Sequence, residues 1–393
     1  MYYKYLIIGG GMAAHSAVGG IRGIDSDGGI GMFTGETDPP YDRPHLSKGL
    51  WTKGESFNDI WRDMNSDGVD LHLRTLITSL DVTNKSVIDD MGETHTYEKL
   101  LMATGGTARR LPFGGDAIIY FRTAEDYRAL RTLTDEQQRF LVIGGGFIGS
   151  EIASSLSQNG KEVIMVFPED GVGASIYPND LSHFMNEYFS DNGVEVFANH
   201  SITDIQSADR CLTATLESST GSQTITVDGV VAGLGIDPNI SLAKNAGLKV
   251  GDGIIADENL SAAPDIFVAG DVVNYYNPAL ERRIRVEHED SANVTGTHAG
   301  KAMAGETAPF TNIPYFWSDS FKLGYEAMGH MDSSMDMVSD WNEEFNEGFV
   351  YYLEGTRVRG VLLWNVWDKW GAAGEIIESM GPFNADNVKG HIQ

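Results

Sequence analysis

Two glycine-rich segments of the chain have the spacing that binds phosphate groups. The first reads YLIIGGGMAAHSAV over residues 5–18, and the second reads FLVIGGGFIGSEIA over residues 140–153. Each has an apolar run, predicted to be a β-strand, followed by three glycines and then small and apolar residues at helical spacing. Glycines at such a turn let the N–H groups at the start of a helix approach a pyrophosphate. One such motif is weak evidence, but two in one chain predict a protein that binds two dinucleotides. The motif positions are Gly9, Gly11 and Ala14 in the first segment and Gly144, Gly146 and Gly149 in the second.

An acidic residue follows the second glycine segment at a distance suited to nucleotide binding. Glu169 lies 25 positions after Gly144, beyond the apolar run EVIMVF. In this fingerprint a carboxylate roughly 20 residues on binds the ribose hydroxyls. No arginine occurs between residues 151 and 180, so no local guanidinium would bind a 2′-phosphate. The sequence therefore favours NADH over NADPH.

A third segment, PPYDRPHLSKGLW over residues 39–51, holds three charged side chains in a stiff loop. Prolines restrict the backbone where the segment begins. The segment is too stiff for a flexible linker and too polar for a core strand. Its charged residues are Asp42, Arg43 and Lys48.

The remaining pattern indicates an α/β protein with interleaved domains. LLMATGGTARRLP (100–112) and DIFVAGDV (265–272) each predict a buried strand that ends in a turn, and the second glycine segment lies between them. One dinucleotide-binding domain is therefore predicted to be inserted into another. Near the C-terminus, alternation in GFVYYLEG and RVRGVLLWNV predicts a hairpin around residues 354–355, and the polar run 331–348 predicts an exposed loop.

Composition limits the classes of function. The chain has 28 basic and 56 acidic side chains among 393 residues, a formal charge of −28 that disfavours nucleic acid as a partner. The single cysteine, Cys211, excludes an internal disulfide and any CxxC redox pair. No apolar run approaches the ~20 residues of a membrane-spanning helix. We expect a cytoplasmic protein with no integral membrane segment.

These landmarks, in this order, resemble the FAD-dependent pyridine-nucleotide oxidoreductases, in particular the branch of NADH–ferredoxin reductases and apoptosis-inducing factor. PYDRPHLSKGLW resembles the PY-x-RPPLSK motif of that branch, and VFPEDG (166–171) resembles its NADH-ribose segment. VEHEDSANVTG (286–296) and FWSD (316–319) resemble its flavin-face and C-terminal motifs. The resemblance covers essentially the whole chain and implies FAD and NADH as cofactors, with no metal site.

The resemblance implies roles for the charged residues of the third segment. Arg43 would reach the FAD pyrophosphate, and Lys48 would lie near flavin N5, where its ammonium stabilises the negative charge of a reduced flavin. Glu151, at the start of the second helix, would pair with this lysine and touch the nicotinamide carboxamide. His45 stands where the family has a proline. That departure could loosen the loop or add a titrating group, and the sequence leaves both open.

Further FAD contacts are implied in the same way. The acid for the FAD ribose falls at Glu36, beside the family position at Gly35. His288 precedes a helix whose amides would face flavin O2, while Trp317 would stack near the nicotinamide and flavin or would simply be a core aromatic residue. The other implied contacts are Thr104, Gly105 and Arg109, which fit the family's Ala-Thr-Gly turn with Arg109 near the adenosine half, and Asp271 on the ribityl and ribose side.

The resemblance implies two Rossmann-like domains, one inserted in the other, plus a C-terminal α+β domain. Their predicted boundaries are 1–112 and 238–308 for FAD binding, 113–237 for NADH binding and 309–393 for the C-terminal domain. Without a cysteine pair, electrons would leave the flavin directly, and the leading acceptor is a small electron-transfer protein such as ferredoxin or rubredoxin. The alternatives are an NADH oxidase or a quinone or dye reductase, and a redox-gated binding protein with slow turnover. A homodimer is possible.

Overall fold

The computed structural model describes residues 1–64, 68–208 and 211–392. The α-helices are α1 (Met12–Arg22), α2 (Gly49–Thr52), α3 (Phe57–Ile60), α4 (Ala124–Glu136), α5 (Phe147–Gln158), α6 (Asn179–Asp191), α7 (Ser241–Asn245), α8 (Glu289–Met303) and α9 (Trp370–Glu378). Short 3₁₀-helices cover Arg43–Leu46, Gly115–Ala117 and Gly270–Val272.

The strands lie between these helices, some singly and some in consecutive runs. They are β1 (Tyr2–Ile8), β2 (Ile30–Phe33), β3 (Val69–His72), β4 (Ile77–Asp81), β5 (Ser86–Asp89), β6 (Thr94–Met102), β7 (Gly106–Ala108), β8 (Ile118–Tyr120), β9 (Arg139–Ile143), β10 (Glu162–Val166), β11 (Val194–Phe197), β12 (Ser201–Ala208), β13 (Cys211–Ser218), β14 (Gly221–Val227), β15 (Gly229–Ala232), β16 (Ile236–Pro238), β17 (Val250–Gly251), β18 (Gly253–Ile255), β19 (Ser261–Ala263), β20 (Ile266–Val268), β21 (Val273–Asn277), β22 (Arg282–Ile284), β23 (Tyr315–Ser320), β24 (Leu323–Gly329), β25 (Asp336–Glu343), β26 (Glu347–Glu354) and β27 (Arg357–Trp364).

The chain forms two compact units. Unit 1 comprises Met1–Arg43, Phe57–Thr107 and Asp237–Phe316, and unit 2 comprises Pro44–Ser56, Ala108–Ile236 and Trp317–Gln393. The boundaries of the three predicted domains are a different division of the chain and remain a prediction. None of the helices in the described ranges is long and apolar enough to cross a membrane.

Unit 1 is built around a mainly parallel sheet with the order β19-β20-β6-β1-β2-β3. The central strand β1 pairs in parallel with β2 and β6, so Ile8 lies opposite Phe33 and Met102. A strand that is flanked on both sides and covered by helices must be apolar on both faces, and residues 5–8 are buried accordingly. The first glycine turn follows β1 directly and leads into α1.

Two helices of unit 1, α1 and α8, cross at very short range. A Cβ atom added at Gly296 would lie 2.3 Å from the carbonyl oxygen of Ala13, and one at Gly300 would lie 2.1 Å from that of Ala17. These separations are too short for any side chain, so glycine is required at both positions of α8. The close crossing fixes α1, and therefore the first glycine turn, against α8.

Unit 2 contains a second parallel sheet, with the order β11-β10-β9-β15-β8. The second glycine turn follows its central strand β9 and leads into α5, which repeats the arrangement of unit 1. A three-stranded antiparallel sheet, β12-β13-β14, shares a buried core with this parallel sheet, because Ala214 and Leu216 lie in one hydrophobic cluster with Leu141.

The C-terminal sheet of unit 2 has the order β23-β24-β27-β26-β25, and α9 follows its last strand. The predicted hairpin is observed, because β26 and β27 pair with Glu354 opposite Arg357. The predicted exposed loop over 331–348 is wrong, because residues 336–343 form β25 and pair antiparallel with β26. This edge strand is half-buried along its middle on both faces, so it lacks the alternation that marks a strand in a sequence.

Candidate functional site

The lysine of the third segment and the first acid of α5 form a buried ion pair in unit 2. Lys48 Nζ lies 3.1 Å from Glu151 Oε1, and the two side chains are 8% and 7% exposed. A charged group is rarely buried to this degree unless it is paired. The structure therefore brings together the two residues that the resemblance implies are paired.

The backbone around Lys48 is held by hydrogen bonds to α5 and to its own turn. The Ser155 hydroxyl donates to the carbonyl of Ser47 at 2.7 Å, and the Asn159 side-chain amide donates to the carbonyl of Trp51 at 3.1 Å. The Trp51 indole N–H in turn donates to the carbonyl of Leu46 at 2.7 Å. These bonds fix the segment to the same helix that carries Glu151, which orients Lys48 and Glu151 relative to each other.

His45, which replaces the family proline, does not leave the segment loose. Its Nδ1 is hydrogen-bonded to the carboxylate of Glu55, ten residues further along the chain. The carbonyl of His45 also accepts the backbone N–H of Lys48 at 3.3 Å. The imidazole thus links the segment to the stretch of chain that follows it, where a proline would have restricted only its own backbone.

The strand β23 supplies three further contacts to the Lys48–Glu151 pair. The Lys48 ammonium lies 3.8 Å from the ring centroid of Trp317, a cation–π contact, and 3.3 Å from the carboxylate of Asp319. The hydroxyl of Ser318 donates to Glu151 at 2.6 Å. Trp317 is partly exposed. It is therefore a residue of this site and not a buried core residue.

Glu151 is stabilised as a carboxylate by two serine hydroxyls. Ser47 donates to Oε2 at 2.6 Å and Ser318 donates to Oε1 at 2.6 Å, in addition to the ion pair with Lys48. Hydrogen bonds to an ionised group are stronger than those between neutral groups. Sequence reasoning missed Ser47, Ser318 and Asp319. The only signal was that Ser47 lies in PYDRPHLSKGLW and that Ser318 and Asp319 lie in FWSD. Their contacts could not be foreseen, because they join chain segments far apart in sequence.

A cavity in unit 2 opens beside this group at the second glycine turn. Its wall includes Gly145 and Gly146 at the start of α5 and Ser318 and Asp319 of β23. The tyrosines Tyr177 and Tyr325 also line it, and burial raises the pKa of both phenols, so they remain protonated at neutral pH.

The three motif glycines of the second segment, Gly144, Gly146 and Gly149, have distinct environments. Gly144 has φ +116°, and a Cβ there would lie 2.4 Å from the carbonyl oxygen of Gly233. A Cβ at Gly149 would lie 2.0 Å from the carbonyl oxygen of Gly144, so the helix packs directly on the turn. At Gly146, the N-cap of α5, no heavy atom of the described residues lies within 4 Å of an added Cβ. The open position is where a ligand would approach the first amides of the helix.

Glu169 is exposed just beyond the end of β10. Its carbonyl accepts the backbone N–H of Asn199 at 2.7 Å, which holds the turn while leaving the side chain to solvent. Both the end of β10 and the second glycine turn lie at the carboxyl edge of the same parallel sheet, where open α/β sheets bind ligands.

The first glycine turn of unit 1 repeats the geometry of the second. Gly9 has φ +126°, and a Cβ there would lie 2.1 Å from the carbonyl oxygen of Ala103. Gly11 is the N-cap of α1, with no heavy atom of the described chain within 4 Å of an added Cβ. Ala14 is fully buried in α1, where its methyl group takes the place of the third glycine.

Arg43 and Glu36 form an ion pair at 2.8 Å in unit 1. Glu36 also accepts the hydroxyl of Tyr41 at 2.8 Å, and the Arg43 guanidinium lies 5.0 Å from the ring centroid of Tyr41. Burial lowers the pKa of Arg43, but Tyr41, Glu36 and Asp271 raise it by more, so the guanidinium stays charged. The predicted FAD contacts of Arg43, Glu36 and Asp271 therefore fall in one electrostatically linked group.

Of the four other residues that the resemblance assigns to FAD, three belong to unit 1 and one belongs to unit 2. Thr104 donates its hydroxyl to the carbonyl of Asn239 at 2.9 Å, and Gly105 has φ +60°. Arg109 belongs to unit 2 and is exposed, with its backbone N–H bonded to the carbonyl of Gly235. His288 is the N-cap of α8 and stacks on Phe316, with the ring centroids 3.9 Å apart.

A group of potential metal ligands lies elsewhere in unit 1. Atoms of Asp89, Glu93 and His95 that could bind a metal ion lie within 4.8 Å of one another. Asp89 already accepts His95 Nε2 at 2.9 Å and the backbone N–H groups of Met91 and Glu93. The carboxylate is satisfied by these bonds, which explain the group as a turn and a buried Asp–His pair.

Comparison with known proteins supports the resemblance. A family model described as pyridine nucleotide-disulphide oxidoreductase matches residues 3–293. Apoptosis-inducing factor 1, mitochondrial, of Dictyostelium discoideum is 33% identical over 418 residues, covering 95% of this chain and 78% of that protein. The ferredoxin reductase subunit of the 5,5′-dehydrodivanillate O-demethylase of Sphingobium sp. is 32% identical over 340 residues, covering 84% of this chain and 82% of that protein.

Among solved structures, the covalent putidaredoxin reductase–putidaredoxin complex matches with a TM-score of 0.88 and 24% identity, covering 96% of this chain and 93% of that chain. This likeness concerns the fold. The predicted fold class, with Rossmann-like sheets and a β-rich C-terminal part, is confirmed.

Proposed function

The chain belongs to the pyridine nucleotide-disulphide oxidoreductase family, and from that premise we propose that it oxidises NADH by hydride transfer to the N5 atom of bound FAD and passes the electrons singly to a ferredoxin- or rubredoxin-type protein. The family implies an NAD(H)-dependent oxidoreductase with FAD and NADH as cofactors. The observation that carries the proposal is the buried Lys48–Glu151 pair, joined through Ser318 and Asp319 to the cavity at the second glycine turn.

The two glycine turns fit the pyrophosphate groups of two dinucleotides. At each turn the N-cap glycine, Gly11 or Gly146, has open space where a side chain would stand. The N-cap residues of α1 and α5 are both glycines and make no side-chain hydrogen bond to the helix, so each helix N-terminus suits an anion. In this proposal α1 binds the pyrophosphate of FAD and α5 binds that of NADH.

When bound, FAD supplies N5 as the hydride acceptor and can release electrons one at a time. The proposed role of Lys48 is to stabilise the negative charge that reduction places on the ring, because a preorganised cation in a site shielded from water lowers the energy of that charge. Glu151 holds the ammonium in place and accepts a hydrogen bond from the nicotinamide carboxamide. Glu169 binds the ribose hydroxyls of the nicotinamide nucleotide.

The route proposed for the electrons has no thiol step. Cys211 is the single cysteine of the chain, so an internal dithiol cannot relay electrons. A direct transfer from the reduced cofactor to a protein acceptor agrees with the ferredoxin reductase relative. An NADH oxidase or a quinone or dye reductase would use the same NADH half-reaction with a different acceptor.

A redox-gated binding protein with slow turnover is the second candidate. It is favoured by the 33% identity, over 95% of this chain, to a protein named apoptosis-inducing factor 1. The two candidates share the cofactors and differ in the rate at which the reduced flavin passes electrons to an acceptor.

One experiment separates the candidates. Acid precipitation of the purified protein should release its flavin as FAD, and anaerobic mixing with NADH should bleach the flavin absorbance. The reduced protein is then mixed with a ferredoxin, a rubredoxin, a quinone, oxygen or a dye. Fast reoxidation by an iron–sulfur protein supports the reductase, whereas slow reoxidation by every acceptor supports the binding protein. Failure of NADH to reduce the flavin would overturn both.

A further inference from the structure

Two carboxylates contact the one ammonium of Lys48. Glu151 lies 3.1 Å away and Asp319 lies 3.3 Å away. With all three side chains ionised, this group carries a net charge of −1. A lysine placed solely to attract electrons would be weakened by a second carboxylate, so the excess negative charge requires its own explanation.

The two carboxylates differ in what they face. Glu151 is 7% exposed, accepts hydrogen bonds from Ser47 and Ser318 and pairs with the equally buried Lys48 ammonium, which compensates its charge within the protein. The Asp319 side chain is 39% exposed and lines the cavity that includes Gly145 and Gly146. The uncompensated charge is therefore that of Asp319, and it faces the space next to the second glycine turn.

The charge of a nicotinamide ring changes when it gives up hydride. The hydride leaves C4 with its electron pair, so the neutral dihydropyridine becomes a positively charged pyridinium. We propose that Asp319 recognises this positive charge: its carboxylate stabilises oxidised nicotinamide relative to reduced nicotinamide in the cavity and thereby favours hydride donation. This inference rests on the proposed function, since it takes the cavity to be the nicotinamide nucleotide site.

The other contacts of Asp319 support this role. Its salt bridge to Lys48 holds the carboxylate in one position, and the preceding Ser318 and Trp317 bind the same Lys48–Glu151 pair. The carboxylate is thus preorganised and needs no rearrangement when the charge appears, which is the condition for effective electrostatic stabilisation. A unit charge several ångströms away at a half-exposed site changes a binding constant by roughly threefold to tenfold.

The test measures binding alone, with the flavin oxidised, so that no electrons are transferred. Calorimetric titrations would compare NAD⁺ with tetrahydro-NAD, an analogue whose ring is neutral and cannot give up hydride. Asp319→Asn should weaken NAD⁺ binding by roughly threefold to tenfold and leave the affinity for the neutral analogue unchanged. Asp319→Glu should restore much of the loss. Asp336→Asn, which removes the same charge from an exposed position on β25, should change neither affinity.

The outcomes distinguish this inference from the function on which it rests. Equal NAD⁺ affinities in the parent and in Asp319→Asn would overturn the role of Asp319 while leaving the NADH site in place. An equal loss for both ligands would also overturn it, because the effect would then be steric. If the parent binds neither nucleotide, the proposed function itself fails. The NAD⁺-specific loss should shrink in 1 M salt, where the Debye length is about 3 Å.

Discussion

The ammonium of Lys48 lies 3.1 Å from the carboxylate of Glu151, with both side chains less than a tenth exposed. Removing two charges from water costs about as much free energy as their attraction returns, so such a pair contributes little net stability. The hydroxyls of Ser47 and Ser318 nevertheless both donate hydrogen bonds to Glu151. A buried pair held in this way is better explained by chemistry at the site than by a gain in folding stability.

Replacing Lys48 by alanine should lower the reduction potential of the flavin and slow its reduction by NADH. Loss of one preorganised charge-stabilising donor typically costs ~3 kcal/mol, about a hundredfold in rate. Glu151→Ala should slow the reaction less, because Glu151 orients the lysine and does not face the developing charge. Anaerobic stopped-flow and a potentiometric titration measure the two effects.

The matched control is Lys53→Ala, which removes an exposed lysine two residues after the segment. It should leave both the potential and the rate unchanged, and FAD content should survive in all three variants. An unchanged potential in Lys48→Ala would reduce the segment 39–51 to a structural loop.

The glycines of the second turn should separate folding from binding. Gly144→Ala places a methyl group against the carbonyl of Gly233 in a backbone with φ +116°, so the free energy of unfolding should fall by about 1–3 kcal/mol or more. Gly146→Ala meets open space in the protein, so stability should be retained while NADH affinity falls, because the methyl group occupies the approach to the helix amides. Chemical denaturation and NADH titration measure the two quantities. A Gly146→Ala protein with the parent's NADH affinity would show that the pyrophosphate binds elsewhere.

The same comparison applies to FAD at the first turn. Gly9→Ala should destabilise the protein because its Cβ would meet the carbonyl of Ala103, whereas Gly11→Ala should fold and lose FAD affinity. Retention of full FAD content in Gly11→Ala would contradict the assignment of this turn.

The strongly patterned parts of the chain could be predicted from sequence, because their constraints are local. The glycine turns follow from a backbone that only glycine can adopt, as at Gly9 and Gly144, and the β26–β27 hairpin follows from alternating burial. The strand β25 was missed because neither of its faces is consistently buried, which is usual at the edge of a sheet.

The surroundings of Lys48 could not be predicted in the same way. Ser318 and Glu151 are 167 positions apart, and no local pattern marks a hydroxyl that will meet a carboxylate from another element. The resemblance pointed to Lys48, Glu151 and Trp317. The contacts of Asp319 and of the two serines became visible only when the folded chain brought β23 beside α5.

The stability of the protein should depend on the ionisation of Asp290. Burial, followed by the neighbouring Glu289, raises the pKa of Asp290 from 3.8 to about 6. The folded state binds this proton more tightly than the unfolded state. The contribution of Asp290 to the free energy of unfolding is therefore fully present below pH 4 and is lost as the pH rises through 6. Asp290→Asn should therefore stabilise the flavin-replete protein at pH 7 and not at pH 4.

The size of this effect follows from the shift. Two pKa units correspond to at most about 3 kcal/mol, and partial exposure and the favourable dipole at the start of α8 reduce this to about 1–2 kcal/mol. Denaturant titrations at pH 4 and pH 7 measure it, with Asp336→Asn as the control for a lost surface charge. A stability difference that does not change with pH would show that Asp290 has an ordinary pKa.

The preference for NADH should depend on Glu169. Its carboxylate is exposed beyond β10, at the carboxyl edge of the sheet that carries the second glycine turn, and no arginine follows in the stretch up to residue 180. A carboxylate there binds two ribose hydroxyls and repels a 2′-phosphate, so the parent should use NADH far more efficiently than NADPH. Glu169→Ala should be reduced less efficiently by NADH, while its efficiency with NADPH should be less affected. The ratio of NADH efficiency to NADPH efficiency should therefore narrow by roughly tenfold or more.

Asp170→Ala, which removes the adjacent exposed acid that contacts His183, is the matched control and should leave this NADH/NADPH ratio unchanged. The ratio is obtained from the rates of flavin reduction at several concentrations of each nucleotide. Equal rates with both nucleotides in the parent protein would remove the assignment of Glu169, and a narrowed ratio in Asp170→Ala alone would transfer the role to its neighbour.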